Sequence, residues 1–254
     1  MNTLTIARRE LNAYFRSPIA YSVIAHFALI AGYFFYVSLV YFVNRGIQSS
    51  MMGQNMPMDV NEFVIRPLFS NVSVIGLFLL PMISMRLFAE EKRTGTIELL
   101  LTSPIRDLEI ILGKWLAAVA LYATMLVVSG LSLGMLFVYG KPDWHPILVG
   151  YLGLLLQGAA LLALGEFVST LTKDQIVAGV AGFYLSLLLW VISWIAEFES
   201  STMGRFLAYL SVFTHFESFS KGVIDSKDIL FYLSMAFVGL FLTARSMESL
   251  RWRT

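Results

Sequence analysis

"AEEKRTGTIELLLTSPIRDLEIILGKW", Ala89–Trp115, gathers charge between two long apolar stretches of a 254-residue chain that is 57% hydrophobic and only 14% charged. Soluble domains carry about 25% charged and about 45–50% apolar residues. Lipid is therefore the main solvent of this chain. Charge beside a membrane segment either marks the side of the membrane it occupies or builds a surface that another protein grips. The choice between these readings decides the architecture.

The stretch has its own design. Arg86, Glu90, Glu91, Lys92 and Arg93 extend an apolar span into water. Gly95 interrupts that helix, and Thr96 is placed to cap a short new one entered through Ile97, Glu98 and Leu99. Glu98 in the first turn suits the helix dipole. Pro104 stops this helix, because it lacks an amide donor and disfavours helix at its predecessor. Ser103 and Pro104 then start another helix, with Pro in its first turn, which runs through Asp107 and Glu109 into the next span. The result is a helical corner of barely two turns carrying Leu99, Leu100 and Leu101. It is too short to be stable alone and needs a partner, either the chain's own helix ends or a separate subunit.

A membrane helix needs about 20 mostly apolar residues. Six windows meet or approach that length: Tyr21–Val43, Pro67–Phe88 (interrupted by Asn71 and Pro81), Ile111–Tyr139, Ile147–Leu171, Ile176–Ala196 and the shorter Ile229–Ala244. Six spans put both termini on one side. The segments on that side hold twelve Lys and Arg, against six on the other, so both termini are expected in the cytoplasm. The Met1–Arg16 start lacks the pattern of a cleavable signal, and the first span is expected to act as an uncleaved anchor. Leu4, Ala7, Leu11 and Phe15 recur at helical spacing, with Thr5, Arg8, Arg9, Asn12 and Arg16 on the other side. This predicts an amphipathic helix on the cytoplasmic leaflet, bent or ended at Pro18.

Two outer segments stand out. Asn44–Glu62, rich in Gly, Ser, Asn and Pro, reads as a loop. Glu197–Asp228 contains an apolar run, Phe206–Phe213, that is too short to span, followed by further aromatics. A helical hairpin re-entering the outer leaflet and a helix lying at the interface fit this pattern equally well.

Catalytic patterns are missing. No G-x-x-x-x-G-K-[ST] loop is present, Gly113-Lys114 lacks its context, and no H-E-x-x-H occurs. The three histidines, His26, His145 and His215, lie far apart, and there is no cysteine. A net charge of +1 without a basic stripe argues against nucleic acid. Enzyme activity, a metal site and a cofactor are not expected. Glu166 is the clearest ionisable residue inside a span, about 10 Å from the end marked by Lys173 by helical rise. It either lines a polar path or subunit contact, or is protonated or hydrogen-bonded within the bundle. Gly130 and Gly134 in "SGLSLG" fit a small-xxx-small helix contact.

"EEKRTGTIELLLTSP" followed by "LGKW" resembles the intracellular loop of ABC-2 type transporter permeases. "STLTKDQIVA" and "HFESFSKGVID" match that family further along, the last resembling its gliding-motility (Gld-type) and nitrous-oxide-reductase-maturation branch. The resemblance covers nearly the whole chain. It implies an all-α, six-helix permease forming one transmembrane domain over 1–254. Within it lie an interface helix (1–18), a cytoplasmic coupling region (86–111, its helix near Thr96–Thr102) and an outer re-entrant segment (197–228). It also implies a dimer with a second copy or a paralogue in the bacterial inner membrane, served by two copies of an ATP-binding subunit that carries the ATP and Mg. A Gld-type auxiliary subunit with a large periplasmic domain is a further expected partner.

On this resemblance the ATPase-coupling interface comprises Arg8, Arg9, Glu90, Glu91, Arg93, Thr94, Gly95, Thr96, Glu98, Leu99, Leu100, Thr102 and Pro104. The outer segment is marked by Phe206, Tyr209, Phe213, His215, Phe216, Phe219 and Gly222. Glu166 departs from the apolar or small residues expected at its position. The implied function is ATP-driven export; the alternative is a non-transporting component that passes ATP-driven motion to a periplasmic partner. An ion-driven carrier would need more intramembrane charge than Glu166 supplies.

Overall fold

The computed structural model describes residues 2–53, 59–102, 105–139, 142–198 and 209–251. In chain order its helices are α1 (Asn2–Arg16), α2 (Pro18–Met51), α3 (Arg66–Ser84), α4 (Arg86–Thr94), α5 (Ile97–Thr102), α6 (Asp107–Tyr139), α7 (Trp144–Leu171), α8 (Gln175–Phe198), α9 (Val212–Ser220) and α10 (Ser226–Arg251). Among the described residues, six helices are long and apolar enough to cross a membrane, one at each of the six apolar runs. The chain is an all-α, multi-pass membrane protein.

Local chemistry explains most boundaries. Ser17 ends α1 and caps α2, its hydroxyl accepting from the Ile19 amide at 3.3 Å, with Pro18 at the first helical position. The loop reading of Asn44–Glu62 is corrected in part: α2 stays helical to Met51, and a π-helical turn, Asn61–Ile65, leads into α3. Within the extension Arg45 donates to the Tyr41 hydroxyl one turn back at 2.8 Å and lies over the Phe63 ring. At about 1.5 Å per residue α2 is about 51 Å long, well beyond the roughly 30 Å hydrocarbon core. The start of α6 is also later than Pro104. The Arg106 amide donates to Glu109 Oε2 at 3.4 Å and the helix begins at Asp107. Ser103 and Pro104 lie outside the described residues.

The hub of the bundle is α7, which packs on α10, α3, α6, α9, α8 and α4. Missing side chains make this proximity possible. A Cβ on Gly158 would fall 2.1 Å from the Tyr122 ring, and one on Gly239 of α10 would fall 2.7 Å from the Ala163 backbone. The small-residue contact expected at "SGLSLG" is not made among the described residues. Gly134 has nothing within 4 Å, and Gly130 meets only the Tyr151 phenol end at 3.3 Å. Gly130 instead borders an apolar groove between α6 and α7.

At the opposite end from the corner, α9 packs on α7, α8, α10 and α3. Its nine residues rise about 13 Å, too little to cross the membrane. Val212, His215, Phe216 and Phe219 are buried in protein, Phe213 is half-buried against Trp190, and Tyr209 is exposed. Gly222 ends the segment at φ 77°, a left-handed turn suited to glycine. Phe206 lies outside the described residues.

The packing predicts a contrast between two glycines. Gly158→Ala must displace the fully buried Tyr122 and should cost about 1–3 kcal/mol, whereas Gly134→Ala, in open space, should be neutral or gain up to about 1 kcal/mol of helix propensity. Thermal unfolding of the two purified variants in one detergent measures both.

Candidate functional site at the charged end of the bundle

The second span does not run straight into the corner. It breaks at Met85, between α3 and α4, one turn after Pro81. The Phe88 and Ala89 amides, which need new acceptors at the break, both donate to Ser169 Oγ of α7 at 3.0 Å, and that hydroxyl donates to the Met85 carbonyl at 3.0 Å. One serine thereby replaces the helix's own ladder. Gly165 on α7 allows this approach, since a Cβ there would fall 2.1 Å from Ser84 Oγ. Lys92 adds a bond to the Thr170 carbonyl, and Thr170 bonds Ser246 of α10 at 2.8 Å. The base of the corner is stitched to α7 and, through it, to α10.

A second tie runs through Lys114. Its side chain is 3% exposed, and its Nζ donates to Glu91 Oε1 of α4 at 2.7 Å. It also lies 3.6 Å from Glu10 Oε1 of α1 and 5.3 Å from the centre of the Phe88 ring. Glu10 Oε1 is shared with Arg9 at 2.8 Å. Removing an ammonium group from water is costly unless carboxylates and hydrogen bonds replace the solvent. Lys114 obtains both from two other helices. Glu166 of α7 is fully buried within electrostatic reach of Lys114, and neither of its oxygens has a hydrogen-bond partner among the described residues.

α1 reaches this cluster because Gly113 lets it settle on α6: a Cβ at Gly113 would fall 2.7 Å from Ile6 and 3.1 Å from the Thr3 carbonyl oxygen. The inward face is accordingly Ile6, Glu10 and Tyr14, with Leu11 and Phe15 half-buried beside it. Leu4, expected on the apolar face, is 72% exposed. Burial, with the charge of Glu10 added, holds the Tyr14 hydroxyl above its ordinary pKa, so it remains a donor. Glu10, Tyr14, Arg86, Glu90 and Gln175 line the polar part of a cleft of about 540 Å³ whose apolar part comes from α1, α2, α3, α4 and α6.

Beyond this anchor the corner turns outward. Gly95 ends α4 at φ 74°, the left-handed conformation a helix terminus favours for glycine. Thr94 Oγ1 donates to the Glu90 carbonyl at 2.9 Å and lies 2.9 Å from Thr96 Oγ1. α5 follows, with Glu98 in its first turn and Leu99 73% exposed.

The expected interface residues therefore divide. Arg8, Arg9, Arg93, Thr94, Gly95, Thr96, Glu98 and Leu99 are on the surface. Glu90 is part-exposed and pairs with Arg86 at 3.6 Å, while Glu91 turns inward to Lys114. Leu100 and Thr102 belong to α5, and Pro104 lies outside the described residues. Sequence reading passed over Lys114, Glu10 and Ser169. The signal for Lys114 was there: a lysine inside the apolar run Ile111–Tyr139, with a carboxylate, Glu166, inside another.

The family model described as ABC-2 family transporter protein matches residues 4–244. This chain belongs to that family. Over 172 residues this ABC-2 protein is 25% identical to the probable multidrug ABC transporter permease YbhR of Escherichia coli (strain K12), and likewise to that of Escherichia coli O157:H7. The match takes in 66% of the chain but 45% of each relative, so the chain spans about half the length of the curated relatives it matches. Within the family match lie both ties of the corner, from Glu10 to Ser169.

The cluster predicts a specific pattern of stability. Lys114→Met leaves Glu91 and Glu166 without their cation and Glu10 with Arg9 alone, and should cost about 3–5 kcal/mol. Adding Glu91→Gln should recover part of that loss rather than add to it, because the two residues share one interaction. Thermal unfolding of the single and double variants provides the comparison.

Proposed function

We propose that this ABC-2 protein is the membrane permease of an ATP-driven exporter in the bacterial inner membrane. Both termini and the α4–α5 corner face the cytoplasm. ATP and Mg are held by a separate ATP-binding subunit, present in two copies, and the chain itself hydrolyses nothing. A second permease, identical or paralogous, completes the pair.

One observation carries this reading: the exposed tip of the corner, Arg93 to Leu99, is continuous with a base that is fastened into the bundle through Lys114 and Ser169. A push on the tip is therefore delivered to α6 and α7 instead of being absorbed by a loose loop. Arg93 and Glu98 supply polar contacts to the ATPase, Leu99 and Leu100 fill its groove, and Arg8 and Arg9 border it from the interface helix α1. Glu90 joins them from the rim, while Glu91 acts one step behind, holding α4 on Lys114. Closure of the ATP-binding subunits moves α1 and α4 as one body and repacks the spans around α7. Glu166, in the core of that movement, lies on the path or beside it.

The probable multidrug permeases named above make drug export the starting assay. The gliding-motility branch, with its auxiliary periplasmic subunit, rests on the "HFESFSKGVID" motif alone. A second reading, in which motion is passed to an outer partner, is favoured by the direct packing of α9 on α7.

Replacing Glu98 and Leu99 with Ala tests the assignment. Co-purification of the ATP-binding subunit should fall at least about tenfold, as for loss of an interface anchor worth over about 1.4 kcal/mol, and transport-linked ATP hydrolysis should fall with it. Unchanged assembly and hydrolysis would exclude the corner as the docking surface.

A further inference from the structure

A second buried pair of ionisable side chains lies at the other end of the bundle, where the proposed coupling makes no use of it. His215 on α9 is 5% exposed and Asp228, in the first turn of α10, is 1% exposed. His215 Nδ1 lies 2.7 Å from Asp228 Oδ1, and Nε2 lies 2.9 Å from the Tyr209 carbonyl oxygen. Phe231 stacks on the imidazole at 3.9 Å between ring centres, and the Tyr209 ring meets it edge-on.

Counting hydrogens constrains this arrangement. A backbone carbonyl only accepts, so Nε2 must carry a hydrogen. At 2.7 Å the contact between Nδ1 and Oδ1 is also a hydrogen bond and needs a hydrogen of its own. The pair therefore holds two protons, either as imidazolium with carboxylate or as neutral imidazole with carboxylic acid. Remove one, and lone pair faces lone pair at one of the two contacts. With Nε2–H kept, Nδ1 confronts the Asp228 carboxylate; with Nδ1–H kept, Nε2 confronts the Tyr209 carbonyl. Asp228 Oδ2 is buried without a hydrogen-bond partner among the described residues.

We propose that His215 and Asp228 form a proton-held latch that fastens Tyr209 and α9 to the start of α10, and that losing one proton in alkaline surroundings releases this segment. The charged groups around it are already engaged. Asp225 and Lys227, on the turn into α10, pair at 2.9 Å. Glu217 on α9 pairs with Lys221 at 2.8 Å and with Arg66 of the α3 start at 3.1 Å. From α8, Trp190 packs against Phe213. The first turns of α7 bring His145 beside Pro146, which touches Gly222. The bond from the Tyr232 hydroxyl to the Val212 carbonyl at 2.7 Å remains as a hinge near the start of α9. Since α9 lies on α7, the latch makes the packing of the hub helix at this end depend on the pH of the compartment it faces. This inference does not rest on the proposed export function.

The absence of cysteine makes a single-thiol reporter straightforward. Ser220→Cys places a thiol at a site 5% exposed on α9, and its maleimide labelling in the full chain in lipid nanodiscs reports release. Asp228→Asn is the control. Its amide donates to a neutral Nδ1 while Nε2–H still bonds Tyr209, so both contacts survive with no proton to lose. Between about pH 6 and about pH 9, labelling with native Asp228 should rise about tenfold more than labelling in Asp228→Asn, in line with loss of a buried hydrogen bond. The ratio cancels the pH dependence of the thiol itself. An equal rise in both backgrounds overturns the proposal. A second measurement needs no variant: nitrogen NMR of the native histidines should show His215 hydrogen-bonded at both ring nitrogens at neutral pH, and a ring titrating like a solvated imidazole also overturns it.

Discussion

The Lys114 ammonium sits where α1, α4 and α6 meet, cut off from water and held by carboxylates that arrive from the other two helices. Each of these elements is poorly supported alone. α1 has a single buried apolar anchor, Ile6, and α4 is nine residues long after a helix break. A buried cation is tolerated only while its partners stay in place. The position of α1 is thereby tied to that of α4, and both are tied to the third span. The Gly113 approach and the Phe88 ring serve the same arrangement, one by letting α1 come close and the other by covering the ammonium group.

From this node the structure continues into α7. Ser169 takes over the hydrogen bonds that the α3–α4 break leaves open, and Thr170 extends the connection to α10. The same helix carries Glu166 in its buried core and, at its far end, supports α9. α7, with α3 and α8 beside it, contacts both the charged corner and the outer segment α9. On the proposed reading, movement imposed at one end has a rigid, glycine-spaced route to the other. Bistable packing of this kind, rather than bending of single helices, is how small displacements become domain-scale changes.

Much of this architecture is legible in the sequence. The six spans follow from the length of apolar run that lipid demands, and the corner follows from Gly95, whose left-handed φ of 74° no β-branched or bulky residue adopts comfortably. These are local rules. What stayed hidden was non-local. Lys114 counted as one more positive charge beside the membrane, because nothing in "LGKW" reveals that Glu91 and Glu10 turn inward to meet it. α1 was oriented by its apolar stripe, yet the residue that chooses its face is Gly113 on another helix. The glycines of "SGLSLG" follow a familiar contact pattern and meet at most the end of the Tyr151 ring among the described residues, while Gly158, with Leu154 and Leu162 four residues to either side, carries one of the tightest approaches. A missing Cβ has meaning only once its neighbour is known.

The most direct test of the account is ATP-driven transport by the assembled complex carrying Lys114→Met. The account predicts that the variant, where folded, still binds its ATP-binding subunit through the exposed tip of the corner, hydrolyses ATP, and fails to couple that hydrolysis to transport. Transport at the native rate per ATP hydrolysed, with Lys114 replaced, would contradict it.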